Sequence, residues 1–282
     1  MKIKTYAAMK YVEAGENDWS KDQPVIYCAD LKNEKSIGYV MLADPVGSSE
    51  LSEKASEVAI KVVQRKINQE MKHVKTNDNL EKLLNYAVSL ANSNVILLNK
   101  KEKKIKPQEN GATTLLVMTI YQKKGLIASV GDIRAYALYK DSKFKQITED
   151  ETGAWLSYKQ GHFNSRDEIK VHPSSRDLKN AIGLLEKLKV QHQIIDLEDI
   201  DTIFIASDGY YKCLLDSEIK KSLQAKDPKK ALESMNRITK QPQGIIPLSM
   251  DVNGYDEETA KAVLKQDSKS AILVKGVYAN GI

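Results

Sequence analysis

The chain has 282 residues, with 43 basic against 38 acidic side chains, a formal net charge of +5 and 41% hydrophobic content. That composition supports a packed core and excludes whole-chain disorder, and the charge is too mild to mark a nucleic-acid binder. Cys28 and Cys213 stand far apart, which excludes a disulfide framework or a cysteine-based zinc site and points to a reducing compartment.

The opening is all β. Residues 2–9, 24–30 and 37–43 are short β-branched or aromatic-bearing runs separated by polar stretches, as strands of a sheet are. At Ser49 the pattern changes. Leu51, Ala55, Val58, Ala59, Val62 and Val63 recur at helical spacing behind a Ser cap, with Ser52 and Glu53 in the first turn. A second helix is predicted over 80–99. TTLLVMTIYQ, KGLIASVGD, IRAYALYK and SKFKQIT then follow in quick succession and read as antiparallel strands. Residues 149–180 are polar and irregular apart from a short helix near Trp155, and the region 151–183 reads as a flap or insertion. Strands return at 191–196 and 202–206, helices at 217–223, 228–239 and 256–264, and SAILVKGVY closes as a strand. KQPQGIIPLSMDVNG, with two Pro and two Gly, reads as a loop insertion at 240–256. No linker or repeat divides the chain, so one α+β domain over 1–282 is expected. The charged N-terminal stretch has no signal-peptide core, and no run approaches the roughly 18 apolar residues of a membrane span. A soluble, cytoplasmic protein with no membrane or nucleic-acid partner is the expectation.

Three apolar strands each run into an aspartate: IGYVMLAD into Asp44, LIASVGD into Asp132 and TIFIASD into Asp208. Asp is a favoured turn residue, so each alone has a plain structural reading. Three ionised carboxylates at buried strand ends are costly unless paired or bound to a cation, and together they point to one site. His73, His162, His172 and His192 show no metal-ligand spacing, so such a site would be hard oxygen and select Mg²⁺ or Mn²⁺ over Zn²⁺.

GATT (Gly111 to Thr114), VGDIRAY (Val130 to Tyr136), QITED (Gln146 to Asp150), KQGHFNSRDEIKVHPSSRDLKNAIG (Lys159 to Gly183) and IASDGYYKCLLDSEI (Ile205 to Ile219) follow one another in order. In this order and spacing the chain resembles the metal-dependent PPM-type, or type 2C, Ser/Thr protein phosphatases of the bacterial branch. The resemblance spans nearly the whole chain. It implies an αββα four-layer sandwich, two central mainly antiparallel sheets flanked by helices, with two metal ions and a third weaker one in a cleft at one edge. It also implies that no side chain is the nucleophile, a metal-activated water taking that role. Asp44 matches the aspartate that bridges the metals, Asp208 that of the SDG motif, and Asp132 that of the GD motif, which helps hold the third ion. Asp267 falls near the family's Asp-Asn pair and would join Asp208 at the first ion. Asp18 matches the end of the family's N-terminal motif.

The chain also departs from the pattern. Pro45 stands where the family has a glycine whose carbonyl is a ligand; the carbonyl is kept, with φ near −65° and no N–H. Glu13 stands where the family has a phosphate-contacting Arg, leaving Lys10 as a candidate substitute, Asn17 stands for a Glu, and Ser268 for the Asn. The resemblance thus implies an enzyme acting on phosphoproteins made by a Ser/Thr kinase, with a flap, including His172 and Pro173, that gates substrate. The alternative is a catalytically impaired relative serving as a binding or regulatory module.

Overall fold

In the computed structural model, which describes residues 4–13, 22–27, 38–47, 49–102, 110–121, 123–265 and 267–278, the long apolar runs become strands covered on both faces. β1 (Lys4–Glu13), β2 (Gln23–Tyr27) and β3 (Gly38–Pro45) lead into α1 (Glu50–Glu70) and α2 (Asn77–Glu102). β4 (Thr113–Tyr121), β5 (Lys124–Val130), β6 (Arg134–Tyr139) and β7 (Phe144–Gln146) follow, then α3 (Gly153–Lys159) and α4 (Arg166–Val171). β8 (Gln191–Asp196) and β9 (Ile200–Ala206) precede α5 (Asp208–Tyr211), α6 (Asp216–Leu223), α7 (Pro228–Lys240), α8 (Ile246–Asn253) and α9 (Glu257–Lys265), and β10 (Lys269–Tyr278) returns to the sheets.

The strands form two five-stranded sheets, ordered β1-β10-β9-β6-β7 and β2-β3-β4-β5-β8, with every neighbouring pair antiparallel. Alternation along each strand sorts the layers. Tyr39, Met41 and Ala43 of β3 face α1 and α2 with Leu115 and Val117 of β4. Val40, Leu42, Leu116 and Met118 point the other way, into a seam shared with Ile203, Ile205 and Ile272 of the second sheet. Phe204, Ala206 and Leu273 then face α6 and α7. This is the expected four-layer αββα sandwich.

Two readings change. The segment 240–256 is not an open loop, because its Pro and Gly punctuate a helix: Pro247 sits in the first turn of α8 and Gly254 ends it at φ 67°. The 151–183 region is more ordered than its polarity implied. α3 and α4 enclose a small cluster of Ala154, Trp155 and Ile169, and the Lys170 ammonium, paired with Asp167 on its own helix, ties α4 to Asp216 of α6. Trp155 is core, as expected for a packing residue.

α1 starts under the end of β3. Ser49 caps it, accepting from the Ser52 N–H at 3.1 Å, and the Ser52 hydroxyl donates to the Val46 carbonyl at 2.7 Å. Two asparagines of α2 hold the segments crossing it. Asn92 donates to Leu185 O and accepts from Gly183 N, both at 2.8 Å. Asn99 donates to Gly111 O and accepts from Gly111 N, again at 2.8 Å. Neither could be read from helical spacing, since each is a polar residue on an apolar face. Replacing Asn99 by Ala strands a buried backbone donor and acceptor. A loss of roughly 2–4 kcal/mol is expected, read as a lower midpoint in urea with an unchanged slope.

Candidate metal centre

In antiparallel sheets every second turn lies at the same end, and here that end collects the acids. β3, β5 and β9 run out into Asp44, Asp132 and Asp208, while β2 and β10 start just after Asp22 and Asp267. The registers bring these points together: Gln23 pairs with Ala43, Leu115 with Val130, and Ala206 with both Arg134 and Ala271. Asp22, Asp44 and Asp132 are each less than a tenth exposed.

Two glycines make the approach possible. Gly131 has φ 97°, and a Cβ there would lie 2.5 Å from Thr114, so the turn carrying Asp132 folds onto the strand beside Asp44. A Cβ on Gly209 would meet the Ser268 carbonyl at 2.2 Å; the glycine of the SDG motif is what lets the start of β10, with Asp267, cross over Asp208. The GATT threonines hold the next element. The Thr113 and Thr114 hydroxyls donate to the Asp44 carbonyl at 3.0 and 3.3 Å. Pro45 stays in β3 opposite Thr113, and the left-handed backbone falls two residues later, at Gly47 (φ 77°). The proline therefore imposes no strain at Asp44.

The electrostatics follow from crowding. Burial, then the charges of Asp22, Asp208 and Asp132, push the Asp44 carboxyl well above its ordinary value. Burial and the Asp208 charge raise Asp132 to about 8, against the pull of Lys212. Burial raises Asp22 to about 6, offset by the hydroxyls of Ser268, Ser207 and Ser270. Asp267 is raised by burial and Asp208. Asp208 alone goes the other way: burial pushes it up, but the Lys212 ammonium and hydrogen bonds from Lys212, Asp44 and the Gly209 N–H outweigh that. Lys212 Nζ lies 2.7 Å from Asp208 Oδ2.

A second buried network stands behind. Arg134 grips both oxygens of Asp150 at 2.6–3.0 Å, Gln146 adds a hydrogen bond to the same carboxylate, and the guanidinium lies 4.2 Å over the Tyr211 ring. The Tyr211 hydroxyl reaches Asp132 Oδ2 at 3.5 Å. Tyr211 is thus the link between that ion pair and the acidic cluster.

The structure brings Asp44, Asp132, Asp208 and Asp267 together at one edge. Asp18 and Asn17 lie outside the described residues. Lys10 pairs with Ile272, three residues back from the end of β1, whereas Glu13 ends it opposite Lys269. Asp22 and Lys212 were missed. Asp22 does carry a signal, an acid immediately before a strand, whereas Lys212 is marked only by its four-residue spacing from Asp208.

The donor set suits a hard divalent cation. It is all carboxylate and carbonyl oxygen, Asp22 Oδ2 is buried with no hydrogen bond, and burial and mutual charge raise Asp44, Asp132 and Asp267, a cost that a cation would relieve. Among the described residues no three His, Cys, Asp or Glu side chains already surround one point; Asp44, Asp208 and Lys212 satisfy one another instead.

Comparison with known proteins fits this geometry. The family described as protein phosphatase 2C matches residues 26–244. The serine/threonine phosphatase stp of Listeria monocytogenes is 26% identical over 197 residues, covering 70% of this chain and 75% of that protein, and that of Listeria innocua matches equally. Among solved structures, a bacterial serine phosphatase superposes with a TM-score of 0.73 at 19% identity, over 99% of this chain and 100% of its own. Stp1 of Staphylococcus aureus gives 0.69 at 19% identity, over 96% and 95%. These superpositions carry the fold, and the family match covers well over half of the sequence. The chain belongs to the protein phosphatase 2C family.

Proposed function

We propose that the chain hydrolyses phosphoserine and phosphothreonine in proteins, as a phosphatase dependent on Mn²⁺ or Mg²⁺ at the carboxylate cleft. The observation that carries this reading is the convergence of Asp22, Asp44, Asp132, Asp208 and Asp267 on one sandwich edge. Phosphoproteins made by a Ser/Thr kinase are the substrates, in the cytoplasm. Among the described residues no helix is long and apolar enough to cross a membrane.

Asp44 is central, feeling the charges of Asp22, Asp208 and Asp132, and would be shared between two cations. Asp208 with Asp267 would hold one of them, Asp22 and the Pro45 carbonyl suit the other, and Asp132 with Asp208 would hold a third. Bound divalent cations supply Lewis-acid chemistry, acidifying a water and drawing charge from the phosphoryl group. The protein's own part is positioning. Burial and the charges of Asp22, Asp208 and Asp132 push the Asp44 carboxyl up, so it would ionise more readily once positive charge is bound beside it. Tyr211 and the Arg134–Asp150 pair fix Asp132. On the flap, His172 accepts the Ser174 N–H at Nδ1, and Arg176 stands 4.0 Å from Asp267. The flap thus brings a fixed cation to the mouth of an acidic cleft that must admit a phosphate dianion.

The impaired-module alternative is not favoured, because the departures leave the acids in place. Asp44→Asn and Asp208→Asn are each expected to lower phosphopeptide turnover roughly 100-fold or more while leaving the folded chain intact. Full turnover in either variant, or none in the wild type with Mn²⁺, would overturn the proposal.

The raised acids also predict a pH dependence. In metal-stripped protein, Asp22 and Asp132 bind protons more tightly when folded, at about 6 and about 8 against an ordinary 3.8. Folded protein then holds more protons than unfolded, so stability falls as pH rises from about 4 to about 8. Denaturant midpoints in chelator should decline across that window, and Mn²⁺ should recover most at its upper end.

A further inference from the structure

The Lys212–Asp208 pair has the spacing of an ordinary surface bridge on one helical turn. Its surroundings differ. Pairs of the same spacing such as Lys54 with Glu50 and Lys61 with Glu57 lie on exposed faces, and even Lys66, paired with Glu70, is 22% exposed. Lys212 is only 9% exposed at its side chain, and its ammonium feels Asp208, Asp132 and Asp267 together. Those are three acids of the cleft, the same three assigned above to the first and third ions. A buried ammonium paired to one of them holds a single positive charge where the crowded carboxylates call for more.

We propose that Lys212 is a built-in competitor for the divalent cation at Asp208, so that metal enters by displacing its ammonium. The idea rests on the metal-dependent reading above. One further feature agrees with it: there is a place for the displaced side chain. Lys212 lines a cavity of about 120 Å³ beside Asp208, walled by His172 and Arg176 of the flap and by Gly209, Leu264 and Asp267. An ammonium moved there would add to the cationic side of the phosphate path, so metal entry and substrate reception would be coupled through one residue.

The test is calorimetric titration of Mn²⁺ into the chelator-stripped full chain, as wild type, Lys212→Gln and Lys212→Arg, with lysine acetylation footprinting of the wild type. Losing a charged hydrogen bond to Asp208 should tighten the weakest Mn²⁺ step roughly 10- to 100-fold in Lys212→Gln, while Lys212→Arg stays near wild type. Mn²⁺ should also raise acetylation of Lys212 relative to Lys170, whose buried ammonium is held by Asp167, Asp216 and the Leu214 carbonyl. Equal or weaker Mn²⁺ binding in Lys212→Gln overturns the competitor role and leaves the metal site standing. No Mn²⁺ binding in any of the three overturns both. Should Lys212→Gln not fold, the footprint decides alone, and unchanged Lys212 labelling overturns the proposal.

Discussion

Mutual repulsion among carboxylates is the constraint around which this structure is arranged. Asp22, Asp44 and Asp132 are buried at one edge beside Asp208 and Asp267, where ionised like charges cannot coexist without protons, cations or hydrogen-bond donors. Each remedy has its groups. Burial and neighbouring charge raise the proton affinity of Asp44, Lys212 supplies an ammonium, and Ser268 donates to Asp22 Oδ1 at 2.7 Å. An edge so organised is tuned to a ligand of higher positive charge, and the family's metal dependence follows from the same arithmetic.

Such a cluster survives only on a rigid base. The turn between β5 and β6 is pinned from both sides: the Gly131 N–H donates to the Glu151 carboxylate at 2.8 Å, and the Glu151 N–H to the Gly131 carbonyl at 3.1 Å. Asn180 donates to the same Glu151 side chain, so the flap's exit and the Asp132 turn share a partner. The Arg134–Asp150 pair, 1% and 5% exposed at its side chains, is too deep to be a surface bridge. It holds β6 to the segment after β7 and places Tyr211 against Asp132. Rigidity near the acids thus comes from buried, nearly saturated polar contacts and not from apolar packing alone.

Most of the fold was legible because strands covered on both faces write themselves as unbroken apolar runs and α1 as a capped periodic stretch. α8 was not, since Pro247 and Gly254 mark a short helix with the same residues that mark a loop. In the site, Asp44, Asp132 and Asp208 were found by looking for acids at the ends of apolar strands. Asp22 obeys the same geometry in reverse, since β2 runs antiparallel to β3 and starts where β3 finishes. Strand direction, fixed only by pairing, hid it. Lys212 was invisible for a different reason: a lysine four residues after an aspartate is ordinary until both are known to be buried.

The departures from the family pattern look different once they are placed. Ser268 stands where the family has an asparagine, which reads as a loss in the sequence. Its hydroxyl instead bonds Asp22, 246 positions away in the sequence, fastening the entry of β2 to that of β10 and lowering the cost of a buried acid. Pro45 keeps β3 straight past Asp44, with the turn deferred to Gly47. Both substitutions leave the neighbouring carboxylates, Asp44 and Asp22, in place. A binding surface alone has no physical need for five mutually repelling acids at one edge, each adding to the cost of the next, and their presence together is the physical argument for chemistry there.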